Sequence, residues 1–107
     1  MTFSENLKKL PAVEHLSSLE LLNSAGQRIA SIENKPGKAG SLAVYAYLAQ
    51  SHGGISVAAA QEGLVLFAEH ADDARAHPGN HPNIDRLFEV LSTNQALGVR
   101  LIERSKN

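Results

Sequence analysis

The strongest fold signal in the chain is the stretch Ser18-Leu19-Glu20-Leu21-Leu22-Asn23-Ser24-Ala25-Gly26-Gln27-Arg28-Ile29-Ala30-Ser31-Ile32-Glu33. It contains two short runs of strand-forming residues, at 19–22 and 28–32, with Asn23 and Gly26 between them. An Asn at the start and a Gly near the end suit a type I turn whose last residue takes a positive φ. The stretch therefore predicts a β-hairpin.

A third strand is predicted at 96–104, where Leu97, Val99 and Leu101 alternate with residues of the opposite face. A two-stranded hairpin is marginal in water, so this strand is expected to join the hairpin. We place it beside the first strand of the hairpin. The expected sheet is three-stranded and mostly antiparallel, built from an N-terminal hairpin and a C-terminal strand.

Two helices are predicted on either side of the hairpin. The first is short: Thr2 or Ser4 can cap it, Glu5 completes a capping box with Thr2, and Pro11 ends it. The second runs from about Leu42 to Ser51 and stops before two glycines.

Two further helices are predicted before the third strand. Ser56 caps the longest, whose apolar residues repeat at spacings of three and four for about 20 residues, up to Pro78. Asn83 caps the last. The predicted fold is a single α+β domain spanning 1–107, with three to four helices covering one face of the sheet.

The composition excludes several classes of protein. The 107 residues contain no cysteine, so disulfides and thiolate metal sites are ruled out. A net charge of -1 gives no general attraction for nucleic acid or an anionic membrane. No apolar run approaches the roughly 18 residues of a spanning helix, and no signal-peptide core is present, so a cytoplasmic location is expected.

A cluster of imidazoles and carboxylates between residues 70 and 85 is the first candidate site. If the long helix continues, His70, Asp73 and His77 lie on one face, and His81 can fold back across the turn. These donors suit a divalent metal, with Asp85 orienting an imidazole, or they suit acid/base catalysis. The alternative is that the histidines only cap helix ends and the aspartates are solvated, and no His-Glu-x-x-His motif is present.

The second candidate site is the loop at 35–41, which follows a strand and precedes a helix. Lys38, Gly40 and Ser41 stand where a positive charge, backbone N–H groups and a helix N-terminus can hold an anion such as phosphate. The loop lacks the Gly-x-x-x-x-Gly-Lys-Ser/Thr pattern, so a structural connector is the alternative.

Three segments resemble a small family of uncharacterised bacterial proteins: Gly40-Ser41-Leu42-Ala43-Val44-Tyr45, Glu62-Gly63-Leu64, and His77-Pro78-Gly79-Asn80-His81-Pro82-Asn83-Ile84-Asp85-Arg86-Leu87. The resemblance implies a bacterial, cytoplasmic origin. It brings no activity and no binding residue.

Three functions are compatible with these patterns. The first is a binding or assembly module without catalysis that forms a homodimer through a sheet edge or through the exposed side of Tyr47 and Val65. The second is a small metal-dependent or acid/base enzyme using the cluster at 70–85. The third is phosphate-ligand binding at 35–41. No cofactor is expected apart from a divalent metal in the second case, and no nucleic-acid or membrane partner is expected.

Overall fold

The computed structural model describes residues 2–104 and shows a three-stranded antiparallel sheet packed against helices. The elements are α1 (Phe3–Leu7), β1 (Leu16–Leu22), β2 (Arg28–Glu33), α2 (Ala39–His52), α3 (Val57–Phe67), α4 (Glu69–Ala76), α5 (Pro82–Thr93) and β3 (Gly98–Glu103). The strand order is β2-β1-β3. The α+β class, the hairpin and the place of β3 beside β1 are confirmed. The outermost bounds of the predicted domain, residues 1 and 105–107, lie outside the described residues.

The hairpin turn has the predicted chemistry. Gly26 takes a φ of 81°, and its amide donates to the carbonyl of Asn23 at 2.9 Å. The Asn23 side-chain oxygen accepts from the amides of Ala25 and Gln27, each at 3.0 Å. Asn23 therefore supplies a local hydrogen-bond acceptor, and Gly26 supplies the left-handed backbone that the turn requires.

The two faces of the sheet differ in polarity. Leu19, Leu21 and Ile32 are buried against the helices, whereas Glu20 binds Arg28 at 3.2 Å and Arg100 at 3.4 Å across the three strands. An alternation of this kind is expected of an antiparallel sheet with one covered face.

Close packing of α2, α3 and α5 closes the core over the sheet. A Cβ on Gly63 of α3 would lie 2.8 Å from Leu87 Cδ1 and 2.9 Å from Leu48 Cδ1, and both leucines are fully buried. A glycine here lets three helices meet at one point. The core is accordingly rich in Leu and Ala, with Tyr45 and Phe67 as its largest members.

The prediction of a single long helix from Ser56 is wrong, because the helix is interrupted at Ala68. Ala68 takes φ 53° and ψ -120°, so α3 ends at Phe67 and α4 begins at Glu69. In an unbroken helix the His70 amide would donate to the Leu66 carbonyl. Here the side-chain amide of Asn6, which is 4% exposed, donates to that carbonyl at 2.9 Å. The α1 helix thus supplies the hydrogen bond that the break removes.

Other helix ends also differ from prediction. The α2 helix begins at Ala39, because the Leu42 amide already donates to the Lys38 carbonyl at 3.0 Å. The α1 helix ends at Leu7, with its predicted capping box present. The α5 helix is capped at His81 and not at Asn83, since Pro82 fits the first helical position, where no N–H is needed. Within residues 2–104, none of these helices is long and apolar enough to cross a membrane.

We predict that Ala68→Gly stabilises the protein by about 1 kcal/mol. Glycine adopts this backbone conformation without the Cβ strain that alanine bears, and the relief exceeds the extra chain entropy of glycine in the unfolded state. Urea unfolding checks the change. The matched control, Ala43→Gly at a regular position of α2, is expected to cost about 1 kcal/mol. A destabilised Ala68→Gly variant contradicts the strained turn.

Candidate functional site

The candidate site is a cleft of ≈ 620 Å³ between α1, the first turn of α2, α4 and the start of α5. The residues that line it are Phe3, Leu7, Ser31, Ile32, Gly37, Lys38, Gly40, Ser41, Phe67, His70, Asn80, His81, Pro82, Asn83, Ile84 and Arg86. Both sites predicted from the sequence contribute residues to this lining. Segments far apart in the chain therefore meet in one cleft.

The structure brings together only part of the predicted imidazole cluster at the cleft surface. His70 and His81 line the cleft, whereas the His77 side chain is 63% exposed outside it. Asp73 lies behind His81 and binds its Nε2 through Oδ2 at 2.6 Å, and its Oδ1 lies 3.2 Å from His77 Nδ1. Asp85 does not orient an imidazole as predicted, because its carboxylate accepts from the Gly79 amide at 2.9 Å.

Metal binding by His70, Asp73, His77 and His81 stays a prediction. Among residues 2–104, no group of three or more His, Asp or Glu side chains has the geometry to hold a metal ion. Both carboxylate oxygens of Asp73 are engaged by imidazoles, so these four side chains would have to rearrange around a metal.

His81 and Asp73 have the arrangement of an acid/base pair. Asp73 fixes Nε2 of the ring, and His81 Nδ1 makes no hydrogen bond to a described residue. The hydrogen bond from His81, with a smaller contribution from His77, holds the pKa of Asp73 below its ordinary value of 3.8. A carboxylate that stays ionised and an oriented imidazole at a cleft wall can hold or transfer a proton.

The predicted anion loop forms another part of the cleft lining. Lys38 forms no ion pair with a described residue, whereas its neighbour Lys35 lies 3.1 Å from Glu33. The backbone amides of Gly40 and Ser41 make no hydrogen bond within residues 2–104. The preceding amide, that of Ala39, donates to the backbone carbonyl of Lys35 at 2.9 Å. The loop thus presents one ammonium group and two unused amides at the cleft.

Arg86 is a cleft residue that the sequence reasoning missed. Its Nη1 donates to Asn83 Oδ1 at 2.8 Å and to Tyr45 Oη at 3.3 Å, and the guanidinium lies 5.7 Å from the centre of the Tyr45 ring. The Tyr45 hydroxyl donates to the Asn83 carbonyl. Burial raises the pKa of Tyr45 to about 12, so this donor keeps its proton. The signal in the sequence was the spacing of Asn83 and Arg86, three apart in a helix.

Four rings run along one wall of the cleft, and we call them the ring row. They are Phe67, Phe3, His70 and His81, with centroid separations of 5.3, 5.0 and 5.6 Å in that order. Phe67 is 2% exposed and supports Phe3 from behind. The Phe3 amide donates to Glu69 Oε1 at 2.8 Å, which fixes α1 against α4.

The charge of the cleft is one-sided. The lining contains the cationic side chains of Lys38 and Arg86 and the imidazoles of His70 and His81, and no Asp or Glu of the described residues lines the cleft. Asp73 and Glu69 are not part of the lining, and their carboxylates bind His81 Nε2 and the Phe3 amide.

Comparison with known proteins gives a family and no activity. A family model described as "Uncharacterized protein conserved in bacteria (DUF2322)" matches residues 3–101. The searches of curated proteins and of solved structures found no match.

We predict that Asp73→Asn destabilises the protein at neutral pH but not in acid. Because the pKa of Asp73 is lower in the folded than in the unfolded state, its stabilisation is complete above about pH 3.8 and is lost as the pH falls below that value. Urea midpoints of wild type and variant, measured from pH 7 to pH 3, should therefore converge at the acid end. Asp72→Asn, whose side chain is 81% exposed, is the control without an imidazole partner. A difference in urea midpoint between wild type and Asp73→Asn that is the same at every pH contradicts a stabilising role of the ionised Asp73 carboxylate.

Proposed function

The chain belongs to this family of uncharacterised bacterial proteins, as its sequence resemblance predicted, and from the geometry of its cleft we propose that it binds a small anion. The observation that carries this proposal is the charge of the lining. Two cationic side chains and the two residues with unused amides line the cleft, and no carboxylate from residues 2–104 lines it, in a chain whose net charge is -1. A wall of this composition is costly unless water or an anion satisfies it.

The donors favour a carboxylate or a phosphate. Lys38 acts as a point charge, and the amides of Gly40 and Ser41 add fixed dipoles beside it. Arg86 is held through Nη1 by Asn83 and Tyr45, while its Nε and Nη2 make no hydrogen bond to a described residue. A planar guanidinium with unused N–H groups is suited to paired oxygens of an oxyanion.

We predict that Lys38→Gln weakens phosphate binding about tenfold, which corresponds to about 1.4 kcal/mol. Isothermal titration with inorganic phosphate and with methyl phosphate, at low salt, measures the change. Lys35→Gln removes a neighbouring charge that is paired with Glu33 and lies outside the cleft, and it should bind as wild type does. Absence of phosphate binding by the wild type, or equal losses in both variants, contradicts the site.

We also propose that the chain self-associates through the free edge of β2. Ile29 lies on this edge strand with 50% of its surface exposed, where a second copy can cover it. The alternative surface at Tyr47 is less suited, because the Tyr47 hydroxyl already donates to Glu62 at 2.9 Å. The edge of β2 is therefore the better surface for a homodimer.

We predict that Ile29→Lys shifts the protein to a monomer at tens of micromolar, because a buried lysine at a paired edge is unfavourable. Size-exclusion chromatography with light scattering reads the mass. Val65→Lys introduces the same charge at a side chain that is 70% exposed on α3, and it should leave the mass unchanged. A wild-type protein that stays monomeric contradicts the proposed dimer, but it does not bear on the proposed anion site.

A further inference from the structure

The cleft is larger than a simple oxyanion requires. Its volume of ≈ 620 Å³ lies within the range of sites that hold whole organic molecules, whereas phosphate alone would meet only the donors at one wall. Apart from the anion donors and Gly37, the lining consists of the ring row, the apolar side chains of Leu7, Ile32, Pro82 and Ile84, and the polar side chains of Ser31, Asn80 and Asn83. The cleft therefore has a second part, in which aromatic and apolar side chains outnumber the polar ones.

The ring row presents a corner to the cleft. Phe3 and His70 lie edge to face, with planes 79° apart, and both rings are only partly buried. Neither nitrogen of His70 makes a hydrogen bond to a described residue, so its ring is held by packing alone. A planar ring placed in this corner can stack on one wall while it directs an edge at the other.

The ring corner and the anion donors are contiguous. A Cβ on Gly40 would lie 3.0 Å from Phe3 Cζ and 3.1 Å from Phe3 Cε2, so the edge of the Phe3 ring touches the backbone beside Ser41. A group bound at the Gly40 and Ser41 amides is thus next to the Phe3 ring. The organic part of a bound anion has this ring as its first neighbour.

We propose that the ligand is a planar aromatic ring that carries one oxyanion group. This inference rests on the proposed anion site and adds the body of the ligand to it. The oxyanion lies at Lys38, Gly40 and Ser41, and the ring lies in the corner of Phe3 and His70.

The test compares three phosphate esters on the wild-type chain of 107 residues: phenyl, cyclohexyl and methyl phosphate. We expect phenyl phosphate to bind about tenfold more tightly than methyl phosphate, and about threefold more tightly than cyclohexyl phosphate. Phe3→Leu and His70→Leu should each reduce the advantage of phenyl over cyclohexyl phosphate. Phe88→Leu is the matched control, because Phe88 packs under Arg75 and lies outside the cleft.

The outcomes separate this inference from the anion site. Equal affinity for the three esters, or for the phenyl and cyclohexyl esters, overturns the aromatic inference while the anion site stands. A phenyl preference that persists unchanged in Phe3→Leu and in His70→Leu overturns it too. No binding of any ester overturns both proposals. Since the wild-type comparison needs no variant, a poorly folded Phe3→Leu does not weaken the test.

Discussion

The cleft depends on one hydrogen bond, from the Asn6 side chain to the Leu66 carbonyl at 2.9 Å. The Leu66 carbonyl lies in a partly buried position, and a carbonyl removed from water without a partner costs up to about 1–3 kcal/mol, so a break between α3 and α4 is stabilised by a donor from elsewhere. Asn6 supplies it, and in doing so it brings α1 to the junction. Phe3, one turn earlier, is then placed against Phe67 and His70. The same contact that permits the break therefore builds the aromatic wall.

The charge of the cleft follows from where its acids are used. Glu69 and Asp73 lie on α4 beside the cleft, but the first holds the Phe3 amide and the second holds His81. The pKa of each of these carboxyls is lowered by its hydrogen bonds, that from the Phe3 amide for Glu69 and that from His81 for Asp73. They consequently act as anchors for the walls. Lys38 and Arg86 line the cleft, and no Asp or Glu in the described part of the chain lines it with them.

Local patterns were sufficient to predict most of the fold. The alternation of residues predicts the strands, and Asn23 and Gly26 indicate the turn. The predicted cap at Ser56 is confirmed, since its side-chain oxygen accepts from the Ala59 amide. The break at Ala68 could not be predicted in the same way, since neither Gly nor Pro marks it and Asn6, which binds the Leu66 carbonyl at the break, lies 60 residues before Leu66 in the chain. Tertiary contacts overrode a regular helical period there.

The candidate site was predicted in two unconnected halves. His81 and Lys38 were each singled out from neighbouring residue types, and both line the cleft. Nothing in the spacing showed that they line the same cleft, because that depends on how α2 and α5 pack around Gly63. Arg86 was missed for a related reason. Its importance comes from Tyr45, a core residue 41 positions earlier.

Tyr45 connects the hydrophobic interior to the polar surface of the cleft. Its ring is wholly inaccessible, yet its hydroxyl and its face both contact the Asn83–Arg86 turn of α5. An arginine on an open surface samples many rotamers, and ordering it on ligand binding costs about 0.5–1.5 kcal/mol. Here the folding of the core has already restricted the guanidinium. The entropic cost of ordering the Arg86 side chain is thus met during folding, and a ligand that binds Arg86 does not have to order it.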